Sequence, residues 1–242
     1  MPATAAQILQ DYSLDVRLLT VDTFGAPNRT VTKATVTNKT AVSVGATSLS
    51  LFGDTAISLK AGNALSFISA GGTLRQQAIL TQDVASLPIT NATAINVSVL
   101  PIKRAIGALA TALEPSGMIP LAGIQQMDFN NQETMVDTTS FGSGSGTEGI
   151  IVRVQRQLTI NGITLPGDEA METVIKPVAG LTSALMGREI YVIATKPNGE
   201  IFEGAAMVSA LNFPANQNEV DKYSFTLSFQ GNTFAWTRPY TF

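Results

Sequence analysis

Residues 222–231 read KYSFTLSFQG. Tyr223, Phe225, Leu227 and Phe229 share one side of an extended chain, while Lys222, Ser224, Thr226, Ser228 and Gln230 share the other. A period of two with aromatic and aliphatic residues on one side specifies a β-strand with one face on a core and one face polar.

The same pattern spreads outward from this strand. In GIIVRVQRQLTING, residues 149–162, Val152, Val154, Leu158 and Ile160 share a face that Arg156 interrupts, and Asn161-Gly162 offers a turn. EIYVIAT, residues 189–195, is apolar on both sides and so is expected to be covered on both, with Pro197-Asn198-Gly199 turning it into IFEGAAMVSAL. One helix is expected between these strands. Asp168 is its N-cap, Glu169 and Glu172 sit at its positive end, and Met171, Val174, Ile175 and Val178 form the apolar stripe. Pro177 should kink or end it, with a further turn or two running to Met186 and Gly187 as the stop.

The text upstream has a different character. Residues 36–102 hold five charges, Lys39, Asp54, Lys60, Arg75 and Asp83, and are otherwise rich in small β-favouring residues. Alternation at Val42 and Val44, Leu49 and Leu51, Leu65 and Phe67, and Ile95, Val97 and Val99 gives five or six short strands, with a hairpin turn at Gly71-Gly72. The expected organisation is therefore mainly β. Residues 1–34 and 106–242 form a main β-sandwich domain with one flanking helix, and residues 35–105 form a separate small all-β barrel or sandwich module inserted into it. Thr30–Lys33 and Lys103–Gly117 are expected as paired linkers from one insertion point.

Composition narrows the function. The chain of 242 residues has no cysteine and no histidine, which excludes disulfides, thiolate nucleophiles, Ser-His-Asp triads and His- or Cys-based metal sites. Gly144 to Gly149 formally match G-x-G-x-x-G, but a strand follows them where a dinucleotide site needs a helix. No two of the eighteen carboxylates are singled out as a glycosidase pair. The reading is no catalytic residue, no cofactor, no metal and no enzyme. No Lys/Arg cluster exceeds Lys103-Arg104, so tight nucleic-acid binding is not expected. No stretch approaches the ~20 apolar residues of a spanning helix, and no membrane insertion is expected.

Charge is uneven. Residues 119–242 carry twelve Asp/Glu against seven Lys/Arg. If many copies closed into a tube, acidic and polar residues around its channel would keep a phosphate backbone from adhering. Long amphipathic strands, few charges and a glycine-rich segment too long for a simple hairpin together suit a chain that buries edges against copies of itself.

Residues Ile119 to Thr237 resemble the major tail (tail tube) proteins of long-tailed bacteriophages. The likeness lies in an ordered series: IPLAGIQQMDFNNQETMVDTTSFGSGSGTEGIIVRVQRQLTINGI, the short acidic helix, then REIYVIATKPNGEIFEGAAMVSALNFPANQNEVDKYSFTLSFQGNTFAW. The resemblance implies a β-sandwich with a helix on its flank, homo-hexameric rings, and rings stacked into a tube that conducts DNA during ejection. It implies that Asn130–Gly149 is an extended loop reaching a neighbouring ring, with Glu133, Asp137, Thr138, Phe141, Gly144 and Glu148 at that contact. It implies lumen-lining or inter-subunit strands carrying Arg153, Gln155, Gln157, Ser224, Thr226 and Ser228. The implied partners are tail terminator, tail tip and tape measure proteins, with DNA passing transiently, in a virion tail assembled in the bacterial host cytoplasm. The alternatives are the inner tube of a contractile tail or injection machine, and an extracellular β-rich adhesion module.

Overall fold

The computed structural model describes residues 12–68, 75–89, 93–139, 148–181, 185–197, 199–214 and 220–237. In chain order its strands are β1 (Ser13–Leu18), β2 (Lys33–Asn38), β3 (Ser48–Gly53), β4 (Ala64–Ile68), β5 (Arg75–Ile79), β6 (Ile95–Ser98), β7 (Thr111–Pro115) and β8 (Ile119–Leu121). They continue as β9 (Ile124–Asp137), β10 (Gly149–Ile163), β11 (Ile190–Thr195), β12 (Ile201–Asn212), β13 (Lys222–Phe229) and β14 (Ala235–Thr237). A π-helical turn, Met171–Ile175, runs directly into the α-helical turn Lys176–Val178, and the two make the flanking helix α1.

The strands divide into two sheets. One has the antiparallel order β8-β1-β11-β12-β13-β10-β9, with β14 added to β12. Its two ends are consecutive in sequence, because only Ala122 and Gly123 separate β8 on β1 from β9 on β10. Leu121 and Ile124 are three residues apart and so at most about 11 Å, which makes the sheet curl until its ends come close. Aromatic contacts measure the same curl. Phe129 of β9 stacks on Phe202 of β12 with ring centroids 4.8 Å apart, although two strands lie between them in the sheet. In a flat sheet three strand spacings would keep them about 14 Å apart. The concave side holds Leu14, Val16, Leu158, Ile160, Val192, Phe202, Phe225 and Leu227, and α1 closes it with Met171, Val174, Ile175 and Val178. This is the expected sandwich with one helix, its two layers being halves of one curled sheet.

Gly123 makes the bend. Its φ is +78°, and a Cβ there would lie 2.2 Å from the Ile163 carbonyl oxygen. That oxygen contact and the positive φ both select glycine. Asp168 fixes the same corner: one carboxyl oxygen accepts the Met171 N–H at 2.7 Å and caps the helix, and the other accepts the Ala122 N–H at 2.8 Å.

The second sheet has the order β5-β4-β7-β2-β3-β6. Its edges also meet, through a Leu80–Val99 bridge, a Leu100 N–H to Ile79 bond of 2.9 Å and a Thr81 N–H to Ser98 bond of 3.0 Å. The result is a small closed barrel around Val36, Leu49, Leu51, Leu65, Phe67, Leu80 and Val97.

Several expectations need correction. Lys33 and Thr111–Pro115 belong to strands of the second barrel, so the strand set reaches outside 35–105 and the expected linkers are partly sheet. β7 escaped notice because Leu113 points to solvent and breaks the alternation. The outer ends of β2 and β7 leave side by side, at the Lys33–Pro115 pair. Asn161-Gly162 runs straight on through β10 rather than turning: both residues pair with β13, the extra residue of the adjoining bulge is Gln125 of β9, and a Cβ at Gly162 would lie 2.4 Å from the Tyr223 ring. Among the described residues no helix continues beyond Val178: Gly180 and Gly187 both take positive φ, which shapes turns. Gly71-Gly72 lies outside the described residues, although β4 and β5 on either side of it do pair.

Candidate assembly surface

β10 pairs with β13 only from Gln157 to Ile163, yet with β9 from Gly149 onward. Asn131–Asp137 and Gly149–Arg156 therefore leave the barrel as a two-stranded arm, about 25 Å long at ~3.3 Å per residue. Its far end is pinned by Thr138 N–H donating to Glu148 O at 2.9 Å and Glu148 N–H donating to the Thr139 hydroxyl at 3.0 Å. The Thr139 hydroxyl and N–H both donate to Asp137, holding that carboxyl below its ordinary range.

The arm is apolar on surfaces that are exposed among the described residues. Met135, Val136, Ile150, Ile151, Val152 and Val154 are between 39% and 62% exposed, and Val136–Ile150 and Met135–Ile151 are cross-strand pairs. An isolated two-stranded ribbon is marginal in water, and an uncovered apolar edge strand templates further pairing.

Below the arm, the convex side of the barrel is a continuous polar field. Gln157, Thr159 and Asn161 of β10 face Ser228, Thr226 and Ser224 of β13 on one side, and Asn130, Asp128 and Gln126 of β9 on the other. Amides and hydroxyls dominate this face, with Asp128 among them and Lys222 at the end of β13. Around the same barrel, the convex side of β1, β11 and β12 is instead covered by the second barrel and its connections, where Leu19, Val31 and Met118 pack on Tyr191, Ile193, Ile201 and Ala205.

The residues singled out from sequence divide between these features. Glu133 and Asp137 lie on the arm strand β9, and Thr138 and Glu148 at its far end, while Phe141 and Gly144 fall outside the described residues. Of the expected loop Asn130–Gly149, Asn130–Asp137 and Gly149 are strand, and residues 140–147 lie outside the described residues. It was read as loop because polar NNQE and exposed apolar residues hide the period of two. Arg153 and Gln155 lie on the arm, while Gln157, Ser224, Thr226 and Ser228 lie in the polar field. The apolar arm residues were missed as contact candidates, although the unbroken Ile150-Ile151-Val152 run carried the signal. At the arm's base Arg156 stacks over Phe234, 4.9 Å from the ring centroid.

Among the described residues no three carboxylates gather into a metal site, and no helix is long and apolar enough to cross a membrane. A curled β-barrel with one capping helix and a projecting apolar arm defines a structural protein built for assembly. The family described as phage tail tube protein matches residues 103–234, more than half of the chain, and the chain belongs to it. That family is structural rather than enzymatic, and its members are components of phage-type tails. Two solved structures are similar at 18% identity. The tail of an empty gene transfer agent particle, described with C6 symmetry, covers 52% of this chain and 87% of its own, at a TM-score of 0.38. The virion of a native gene transfer agent covers 50% and 88%, at a TM-score of 0.40. No curated protein matches.

Proposed function

We propose that six copies of this chain close into a ring, that rings stack into the tail tube, and that the tube conducts DNA during ejection. The observation that carries the reading is the β9–β10 arm, whose exposed apolar residues are stabilised only when another copy buries them. In this reading Glu133, Asp137, Thr138, Phe141, Gly144 and Glu148 lie at the contact between rings, with Arg153 and Gln155 on the arm's shaft. Six copies per ring is the number implied by the resemblance to major tail proteins.

The polar field of β9, β10 and β13, with Gln157, Ser224, Thr226 and Ser228, lines the channel. Hydroxyls and amides beside Asp128 give phosphates few cations to pair with, Lys222 lying at the end of β13, so DNA slides. Residues 33–115 form an inserted module on the side away from the channel, the main domain comprising the residues before and after it. Terminator, tip and tape measure proteins are the partners at the ends and inside of the tube, and assembly takes place in the host cytoplasm.

Negative-stain electron microscopy of the purified chain, alone and with tail-tip proteins, tests this. Rings and tubes with a central channel are expected. Monodisperse particles under both conditions would overturn the reading. Thr226→Lys with Ser228→Lys should leave tubes intact while making them retain DNA in a salt-dependent way.

A further inference from the structure

Two carboxyls are buried where the barrels meet, and the structural role leaves them unused. Asp15 of β1 is 2% exposed and Glu114 of β7 is 7% exposed. Their placement follows from β4. That strand pairs with β7 only at Ile68–Thr111, so its N–H groups at Ala64 and Ser66 lack a strand partner on that side. Asp15 accepts from Ala64 N–H at 3.3 Å and from the Asn63 side-chain amide at 3.1 Å, while Glu114 accepts from Ser66 N–H at 3.4 Å. One carboxyl from the tube barrel and one from the inserted barrel thus finish the same strand edge.

Little else there offsets charge. Lys33 of β2 is paired with Glu203 of β12, which also accepts the Tyr191 hydroxyl of β11. Arg17 of β1 donates to the Ser116 carbonyl at 2.8 Å, and Lys60 is paired with Glu169 at 2.6 Å toward the solvent. Gln77 of β5 reaches the Ser13 hydroxyl at 3.2 Å. The two barrel cores remain separate clusters, and beside the apolar contacts of Leu19, Val31 and Met118 the seam carries these polar groups.

We infer that the inserted barrel is held on the tube barrel by a proton-dependent latch made of Asp15 and Glu114, seated while these carboxyls are neutral and loosened when they ionise. The swing would pivot where the chain crosses between barrels, at the paired Lys33 and Pro115. Burial pushes the Asp15 carboxyl up to about 7 against the bonds from Asn63 and Ala64. Burial, and then the Asp15 charge, pushes Glu114 well above its usual range. Both seated values are raised, so seating is complete below the ordinary carboxyl range and weakens as pH climbs from there to about 7. The limit is about tenfold per pH unit for each carboxyl.

Hydrogen exchange of the full-length chain, read by mass spectrometry between about pH 5 and about pH 8 and corrected for intrinsic rates, tests the latch. Peptides carrying Ala64 and Ser66 should lose at least about tenfold protection across that range, while core peptides around Leu158 and Val97 stay protected and report intact barrels. In Asp15→Asn with Glu114→Gln the loss should vanish, with protection retained throughout. Flat protection in the unaltered chain overturns the inference. So does a double variant that still loses protection with pH, or one that is already unprotected at about pH 5, because permanently neutral groups should seat. This outcome is independent of whether the chain forms tubes.

Discussion

The two barrels close by different means. The inserted barrel joins β5 to β6 by backbone bonds around Leu80 and Val99, and its strands of four to six residues end where its core ends. The tube barrel closes by bending one chain segment at Gly123 and lets two strands, of 14 and 15 residues, run on past the core. The first therefore exposes apolar residues singly, at Val44, Ile89, Leu109 and Leu113, while the second carries Met135, Val136, Ile150, Ile151 and Val152 into solvent as one group on the arm. In the proposed function the first is carried as cargo and the arm of the second is completed by neighbouring copies. The difference lies in strand length relative to core, since both sheets are antiparallel and both are closed.

The comparison can be broken most decisively at the arm. Ile150→Asp with Val152→Asp should abolish tube formation, lowering association by at least about 100-fold, the equivalent of about 3 kcal/mol. Circular dichroism and melting of the unassembled chain should barely change, and a large loss of stability would show that the arm serves the fold of its own barrel. Next in size is the core. Phe225→Ala, at a side chain buried in the tube barrel, should cost about 3–5 kcal/mol by denaturant titration. Gly123→Ala strikes the closure itself and should cost about 2 kcal/mol or more, from positive φ and the clash with the Ile163 carbonyl. Gly117→Ala, at positive φ but with open space around it, should cost less.

Removing residues 34–114 and bridging Lys33 to Pro115 with a short Gly/Ser link should leave tubes visible by microscopy, because those two residues are already cross-strand partners. Loss of tubes would mean that the inserted barrel takes part in assembly. The smallest effect is expected at the seam's outer rim. Lys60→Met removes an exposed ion pair with Glu169 and should change stability by less than about 1 kcal/mol in a melting experiment.

Much of this was legible beforehand, for local reasons. The period of two in KYSFTLSFQG located β13 and its inward face, all four of whose residues are buried. Asp168 was legible as a cap because capping is settled within a few residues, and the bond to Met171 N–H has that geometry. The arm was legible only as a segment unusually long for a connection. Its strand character depends on pairing between residues twelve or more positions apart, from Asp137 with Gly149 to Asn131 with Arg156, which local propensity does not contain. Asn161-Gly162, expected as a turn, has the same origin, since an Asn-Gly pair can turn or stay extended and pairing with Tyr223, sixty-one positions downstream of Gly162, keeps it in the strand.

The sequence by itself determined a β-rich chain of two parts, a short capped helix, one polar and one apolar face per long strand, and chemistry without thiols or imidazoles. Alternation, capping and composition are properties of neighbours along the chain. Only the tertiary structure decided that Gly123 folds one sheet into a barrel, that the strands around Arg153 outrun the core, and that Asp15 and Glu114 are buried together. Those outcomes depend on which distant segments share a surface, and on the backbone groups that such sharing leaves unpaired.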